Sequence, residues 1–235
     1  VHPEIEESVR RALAEDIGAG DITTNLCVPA EAMATGRMIA RESLTLAGVE
    51  VLPLVFVGCT VELKRLSGDY LKAGDEIARV QGPARALLTG ERTALNFVQR
   101  LSGIATLAAA YVRAVDGTRC RILDTRKTTP GLRRLEKMAA AAGGAVIYRM
   151  GLFDAVLIKN NHITAAGGVR AALDRTRNAG VPVEIEVRTR EELDEALACG
   201  ATHLLLDNLS PSEAKDWVLY INKRAIVELS GGIRL

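Results

Sequence analysis

Lys159 follows the run Ala155-Val-Leu-Ile158 directly. A lysine closing such an apolar strand sits either at a sheet mouth or buried with a partner, because a lone ammonium is costly to desolvate. Asp124-Thr-Arg-Lys127 closes another apolar segment. Arg126 offers a planar fork matched to carboxylate or phosphate, and Lys127 adds a mobile point charge; a solvated basic turn is the competing reading. Glu186 and Asp207 end two further segments. Carboxylates so placed could hold Mg²⁺ or orient hydroxyls, or serve only to neutralise Lys159 or Arg126.

Charge is unevenly spread. Between residues 121 and 162 eight Lys or Arg stand against three Asp or Glu, although the whole chain carries only +1. A local cationic segment in a near-neutral chain points to a small anionic ligand rather than a polymer. With one Trp, four Tyr and three Phe, the chain is also poorly equipped to stack bases, so no nucleic-acid partner is expected. Cys27, Cys59, Cys120 and Cys199 form no C-x-x-C pair, which favours scattered buried thiols over a zinc site.

These groups need elements to position them. At 235 residues, 48% apolar and 25% charged, the chain suits one large domain or two unequal ones. Its apolar run 101–112 is too short to span a bilayer, and the acidic start at Glu4, Glu6 and Glu7 lacks a signal-like core, so no membrane association and a cytoplasmic location are expected. Residues 4–15 have helical spacing and 18–24 read as a loop. Strands are expected at 34–47, 61–66 and 76–80, followed by a helix over 84–115 interrupted at Ser102-Gly103, where the domain boundary is placed. This gives an N-terminal α+β domain over 1–102 and a second domain over 103–235.

Beyond that boundary apolar runs at 121–124, 155–159, 181–187, 203–207 and 225–229 alternate with helical stretches at 131–142, 164–178, 189–199 and 210–223. The runs read as parallel strands buried on both faces. Capping boxes at Thr189–Glu192 and Ser210–Glu213 mark two helix starts. Polar groups close four of the strands, as expected where the carboxyl ends of a β/α barrel form one mouth. Neither G-x-G-x-x-G nor a P-loop motif occurs, which disfavours nucleotide folds.

The ordered set Gly20-Asp-Ile-Thr-Thr24, Gly90-Glu-Arg-Thr-Ala-Leu-Asn96, Asp124-Thr-Arg-Lys-Thr-Thr-Pro-Gly131, Gly151-Leu-Phe-Asp154, Ile158-Lys-Asn-Asn-His162, Leu206-Asp-Asn208 and Ser230-Gly-Gly232 resembles quinolinate phosphoribosyltransferase over almost the whole chain. The resemblance implies an α/β fold: an N-terminal α+β sandwich-like domain followed by an incomplete β/α barrel, with the end of the barrel apparently truncated after Ile233. It implies transfer of phosphoribosyl from phosphoribosyl pyrophosphate to quinolinate, with loss of pyrophosphate and CO₂, giving nicotinate mononucleotide. Arg126, Lys127, Arg149 and Lys159 would face the anions, and Arg92 would reach a neighbouring subunit's site in a homodimer or a hexamer of dimers. Glu186 and Asp207 would bind Mg²⁺ or ribose hydroxyls, with Lys127 and Lys159 beside them as catalytic groups. Ser230, Gly231 and Gly232 would serve the 5′-phosphate. No organic cofactor is implied.

One departure is local. Where the family usually has Asn-His before the arginine, this chain has Ile147-Tyr148, which removes amide and ring-nitrogen hydrogen-bonding groups. The alternatives are a non-carboxylating relative such as the molybdenum-transport-associated homologue, an aldolase-like barrel using Lys159 as Schiff base, or a metabolite-binding protein that turns nothing over.

Overall fold

The structure is a computed structural model describing residues 2–235. They pack as two compact units, one ending at Tyr148 and the other spanning Arg149–Leu235.

The first unit opens with α1 (Pro3–Ile17), which buries Ile5 and Val9. A second helix, α2 (Ile22–Cys27), starts inside the segment expected to be loop. The reason is Asp21, whose Oδ1 accepts from Thr24 N at 2.9 Å while Oδ2 accepts from Thr89 Oγ1 at 3.0 Å, a helix cap that the surrounding glycines obscured. Next come β1 (Met33–Ile39), β2 (Leu44–Thr45), α3 (Leu52–Val55), β3 (Thr60–Leu63), β4 (Tyr70–Leu71) and β5 (Glu76–Pro83). The expected strand at 34–47 is thus two strands in different sheets: β1 and β3 flank β5, and β2 pairs with β4, all antiparallel. Cys27 and Cys120 are exposed, contrary to the buried-thiol expectation.

The long α4 (Ala84–Ala114) runs unbroken through Ser102-Gly103. Ser102 is buried and its hydroxyl is spent on the segment that follows β2, accepting from Ala47 N at 3.0 Å. One turn later Thr106 Oγ1 accepts from Thr45 N at 2.9 Å. These hydroxyls tie the helix down instead of ending it, while Gly103 is exposed with open space around its Cβ position. Ser102→Ala should therefore cost about 1–3 kcal/mol by orphaning the Ala47 amide. Gly103→Ala should instead stabilise by up to about 1 kcal/mol. Urea denaturation of both variants checks this pair of opposite signs.

Segment 121–124 is not a full strand. A single parallel bridge joins Leu123 to Val146, because the next amide, Tyr148 N, turns to the Asp124 carboxylate rather than to a backbone carbonyl. The unit closes with α5 (Arg133–Ala142).

The second unit contains β6 (Val156–Ile158), α6 (Asn160–Ala166), α7 (Val169–Thr176), β7 (Val183–Val187), α8 (Arg190–Ala198), β8 (His203–Asp207), α9 (Pro211–Ile221) and β9 (Ile226–Ser230). Residues 164–178 are not one helix, since Gly167 and Gly168 take φ of 93° and 131° and break it. The strands form one parallel sheet in the order β6-β7-β8-β9. Ile158, Ile185, Val187, Leu204 and Leu206 pack with Leu193, Ala196 and Ile221 of the helices, forming the apolar core.

The other face of this sheet is not apolar, which corrects the expectation of strands buried in hydrocarbon on both sides. Side chains alternate along a strand, and the register sets Leu157 beside Glu184 and aligns Glu186, Leu205 and Glu228. Continuing the alternation puts Lys159, Asp207 and Ser230 on that same face at the carboxyl end.

Candidate active site

In the second unit, the sheet gathers most of the expected groups at one end. Lys159 is exposed at the end of β6 and forms the start of α6, its backbone N–H donating to His162 Nδ1 at 2.9 Å. Its ammonium makes no ion pair among the described residues. Glu186 likewise has no cationic partner, and Asp207 Oδ2 accepts only from its neighbour Asn208 Nδ2, at 2.6 Å. The carboxylates therefore do not neutralise Lys159, and the strand ends keep charge of both signs available to a ligand.

Asp207 pairs in register with Ser230. The turn that follows is held close: Asn208 N donates to Ser230 O at 2.9 Å, and a Cβ on Gly231 would lie 2.8 Å from Asn208 N. Gly231 has φ of 83°, so glycine is required there for both shape and space. Two carboxylates on adjacent strands and one face fit a magnesium ion that keeps water or substrate oxygens for its other positions. Among the described residues no cluster of three or more His, Cys, Asp or Glu could cage a metal alone.

Deeper on the same face lies a pair that sequence reasoning missed. Glu228 is pushed up to about 7 by burial and by Glu184, with which it shares a hydrogen bond, against the pull of Arg149. The alternation Val183-Glu-Ile-Glu-Val187 was the available signal for this polar face. A carboxyl whose pKa rises on folding adds stability that is complete below its ordinary value of 4.5 and is lost as pH climbs through about 7. Glu228→Gln should thus leave stability unchanged near pH 4.5 and raise it at pH 8. The gain expected is about 1 kcal/mol, discounted because the group is only half-buried. Urea melts at the two pH values check the sign.

Of the remaining cations, all but Arg149 lie in the first unit. Arg126 is half-buried, and its Nε is buried without a partner; Lys127 is exposed. Their loop is pinned from behind by Glu136, whose Oε2 accepts from Thr129 N at 3.0 Å and whose Oε1 accepts from Arg100 Nε at 3.0 Å. Burial draws the Glu136 pKa up, but Arg100 and Thr129 outweigh it and hold the carboxyl below its ordinary value. Arg92 is exposed on α4 with no ion-pair or hydrogen-bond partner among the described residues. Arg149, which opens the second unit, precedes a tight turn in which Asp154 accepts from Met150 N at 2.7 Å and Gly151 N at 3.0 Å.

Two family models match successive parts of the chain, meeting near residue 103 rather than at the Tyr148–Arg149 junction. Residues 21–102 match the N-terminal domain of quinolinate phosphoribosyl transferase, and residues 104–235 match its C-terminal domain. The chain belongs to the quinolinate phosphoribosyltransferase family. It is 44% identical to the carboxylating nicotinate-nucleotide pyrophosphorylase of Mycobacterium leprae, with 97% of this chain and 85% of that protein covered. A chloroplastic relative from Arabidopsis thaliana is 39% identical, covering all of this chain and 75% of the relative. Among solved structures, NadC from Streptococcus pyogenes superposes with a TM-score of 0.92 at 37% identity, covering 100% of this chain and 86% of that one. The α/β fold, with a small N-terminal sheet domain and a C-terminal parallel sheet, is that of the family. Among the described residues no helix is long and apolar enough to cross a membrane.

Proposed function

We propose that this chain is a carboxylating phosphoribosyltransferase that converts quinolinate and phosphoribosyl pyrophosphate to nicotinate mononucleotide, pyrophosphate and CO₂. The observation that carries this reading is the set of unpaired charged groups at the strand ends, in a chain matching carboxylating relatives across its length. Both substrates are polyanions, and cations without internal partners are available to them without breaking an existing ion pair.

Arg126, Lys127, Arg149 and Lys159 hold the quinolinate carboxylates and the donor's phosphates. Glu186 and Asp207 orient the ribose hydroxyls and would hold Mg²⁺. When bound, Mg²⁺ supplies charge neutralisation to the departing pyrophosphate. Ser230, Gly231 and Gly232 receive the 5′-phosphate. The quinolinate ring nitrogen attacks the anomeric carbon as the bond to pyrophosphate breaks, with positive charge developing on the sugar. The new pyridinium then accepts the electron pair of the adjacent C–CO₂⁻ bond; CO₂ departs and a proton takes its place on the ring carbon.

Arg92, exposed and without a partner among the described residues, is proposed to complete a neighbouring subunit's site in a homo-oligomer. The chain should allow a bacterium lacking its own quinolinate phosphoribosyltransferase to grow without added nicotinate. Soluble expression without growth would count against the proposal.

A further inference from the structure

Lys137 is the largest fully buried side chain, at 1% exposure, although it lies on a helix that begins Arg133-Arg134. Its Nζ donates to Asp124 Oδ1 at 2.6 Å and to Tyr148 O at 3.2 Å. The same Oδ1 accepts from Tyr148 N at 2.8 Å. One buried ion pair thus grips both polar ends of Tyr148, from its amide and from its carbonyl, and Asp124 Oδ2 is buried with no partner of its own.

Burying two charges costs several kcal/mol, and an apolar pair of similar volume holds a core equally well. Stability alone does not explain such a pair. What distinguishes it is where its two anchored segments lead. Asp124 is followed by Thr125-Arg126-Lys127, and Tyr148 is followed by Arg149.

We infer that the Lys137–Asp124 pair is a positioning device that sets the backbone from which Arg126 and Lys127 are presented to the acid substrate, and that fixes the chain at Tyr148 where the first unit ends. The hold is on main-chain atoms of Tyr148, so it does not depend on the side chain at that position. The Ile147-Tyr148 departure therefore leaves this backbone hold intact. Neither Lys137 nor Asp124 is a catalytic residue, since both are buried. The role in substrate binding rests on the function proposed above; the backbone hold does not.

The test compares the parent with a Lys137→Met/Asp124→Leu double variant and with Asp124→Asn, which keeps an acceptor for Tyr148 N but loses the charge. The double variant should still fold, because no buried charge is left unpaired, though with a lowered melting temperature from the freed Tyr148 N–H and C=O. Amide hydrogen exchange at residues 146–149 should nevertheless accelerate about tenfold or more, since the bracketing bonds are gone. The KM for quinolinate should rise about tenfold. Unchanged exchange and unchanged quinolinate KM in a folded double variant would overturn the inference. If the double variant does not fold, Asp124→Asn carries the same readouts, and parental values in it are equally contrary. An inactive parent would refute the proposed function while leaving the exchange measurement to decide the backbone hold.

Discussion

Lys159→Met is expected to lower kcat/KM for quinolinate about 10³-fold while leaving the melting temperature nearly unchanged. Both halves follow from its position. The side chain is exposed at the start of α6 and makes no ion pair among the described residues, so its removal strands no buried partner there. In a site that binds two polyanions, however, a charge with no internal partner is worth most where water is excluded. Steady-state kinetics and a thermal melt on one preparation measure the two effects. Lys159→Arg separates the readings of this residue: an anion-binding role keeps part of the activity with arginine, whereas a Schiff-base role keeps none. A fall in kcat/KM smaller than about tenfold for Lys159→Met would place the lysine outside the reacting centre.

The second large effect belongs to the carboxylates. Glu186→Gln combined with Asp207→Asn should reduce kcat about 10²- to 10⁴-fold and raise the Mg²⁺ concentration needed for half-maximal rate. The amides are nearly isosteric, and neither parent side chain is engaged in an ion pair among the described residues, so the fold should survive. Asp207 lies in register with Ser230 on the neighbouring strand, which places the proposed hydroxyl- and phosphate-binding groups side by side. The quinolinate dissociation constant, measured by calorimetry without the sugar donor, should move little. A double variant with normal kcat and normal Mg²⁺ dependence would remove these residues from the mechanism.

Much of this arrangement was legible in the sequence because it depends on local pattern. Strand β8 falls at the expected 203–207, and α8 and α9 begin at the Thr189 and Ser210 caps, where side-chain oxygens accept from Glu192 N and Glu213 N. What was missed depends on partners remote in the chain. Ser102-Gly103 reads as a helix break because a serine that bonds a remote segment is indistinguishable, in sequence, from one that competes with its own backbone. Burial of Lys137 was equally hidden, as a lysine on an amphipathic helix ordinarily faces water and its partner Asp124 lies on another element.

The polar sheet face is a different kind of omission. Glu184 and Glu228 were visible as alternating positions, but reading their strands as unbroken apolar runs assigned hydrocarbon to both faces. Lys159, Glu186 and Asp207 are legible as carboxyl-end residues because strand ends are where polar residues interrupt an apolar run. Glu228 carries no such mark, since it sits inside its strand, two residues before Ser230.

The central claim is that sugar transfer and decarboxylation occur together on quinolinate. The most direct measurement supplies the purified chain with phosphoribosyl pyrophosphate, Mg²⁺ and quinolinate labelled in its 2-carboxylate, and follows labelled CO₂ and nicotinate mononucleotide in the same reaction. The account predicts that the two appear in equal amounts and that neither forms when any component is omitted. Nicotinate mononucleotide formed from nicotinate without CO₂, or no product from quinolinate under conditions where the folded chain binds both substrates, would contradict it.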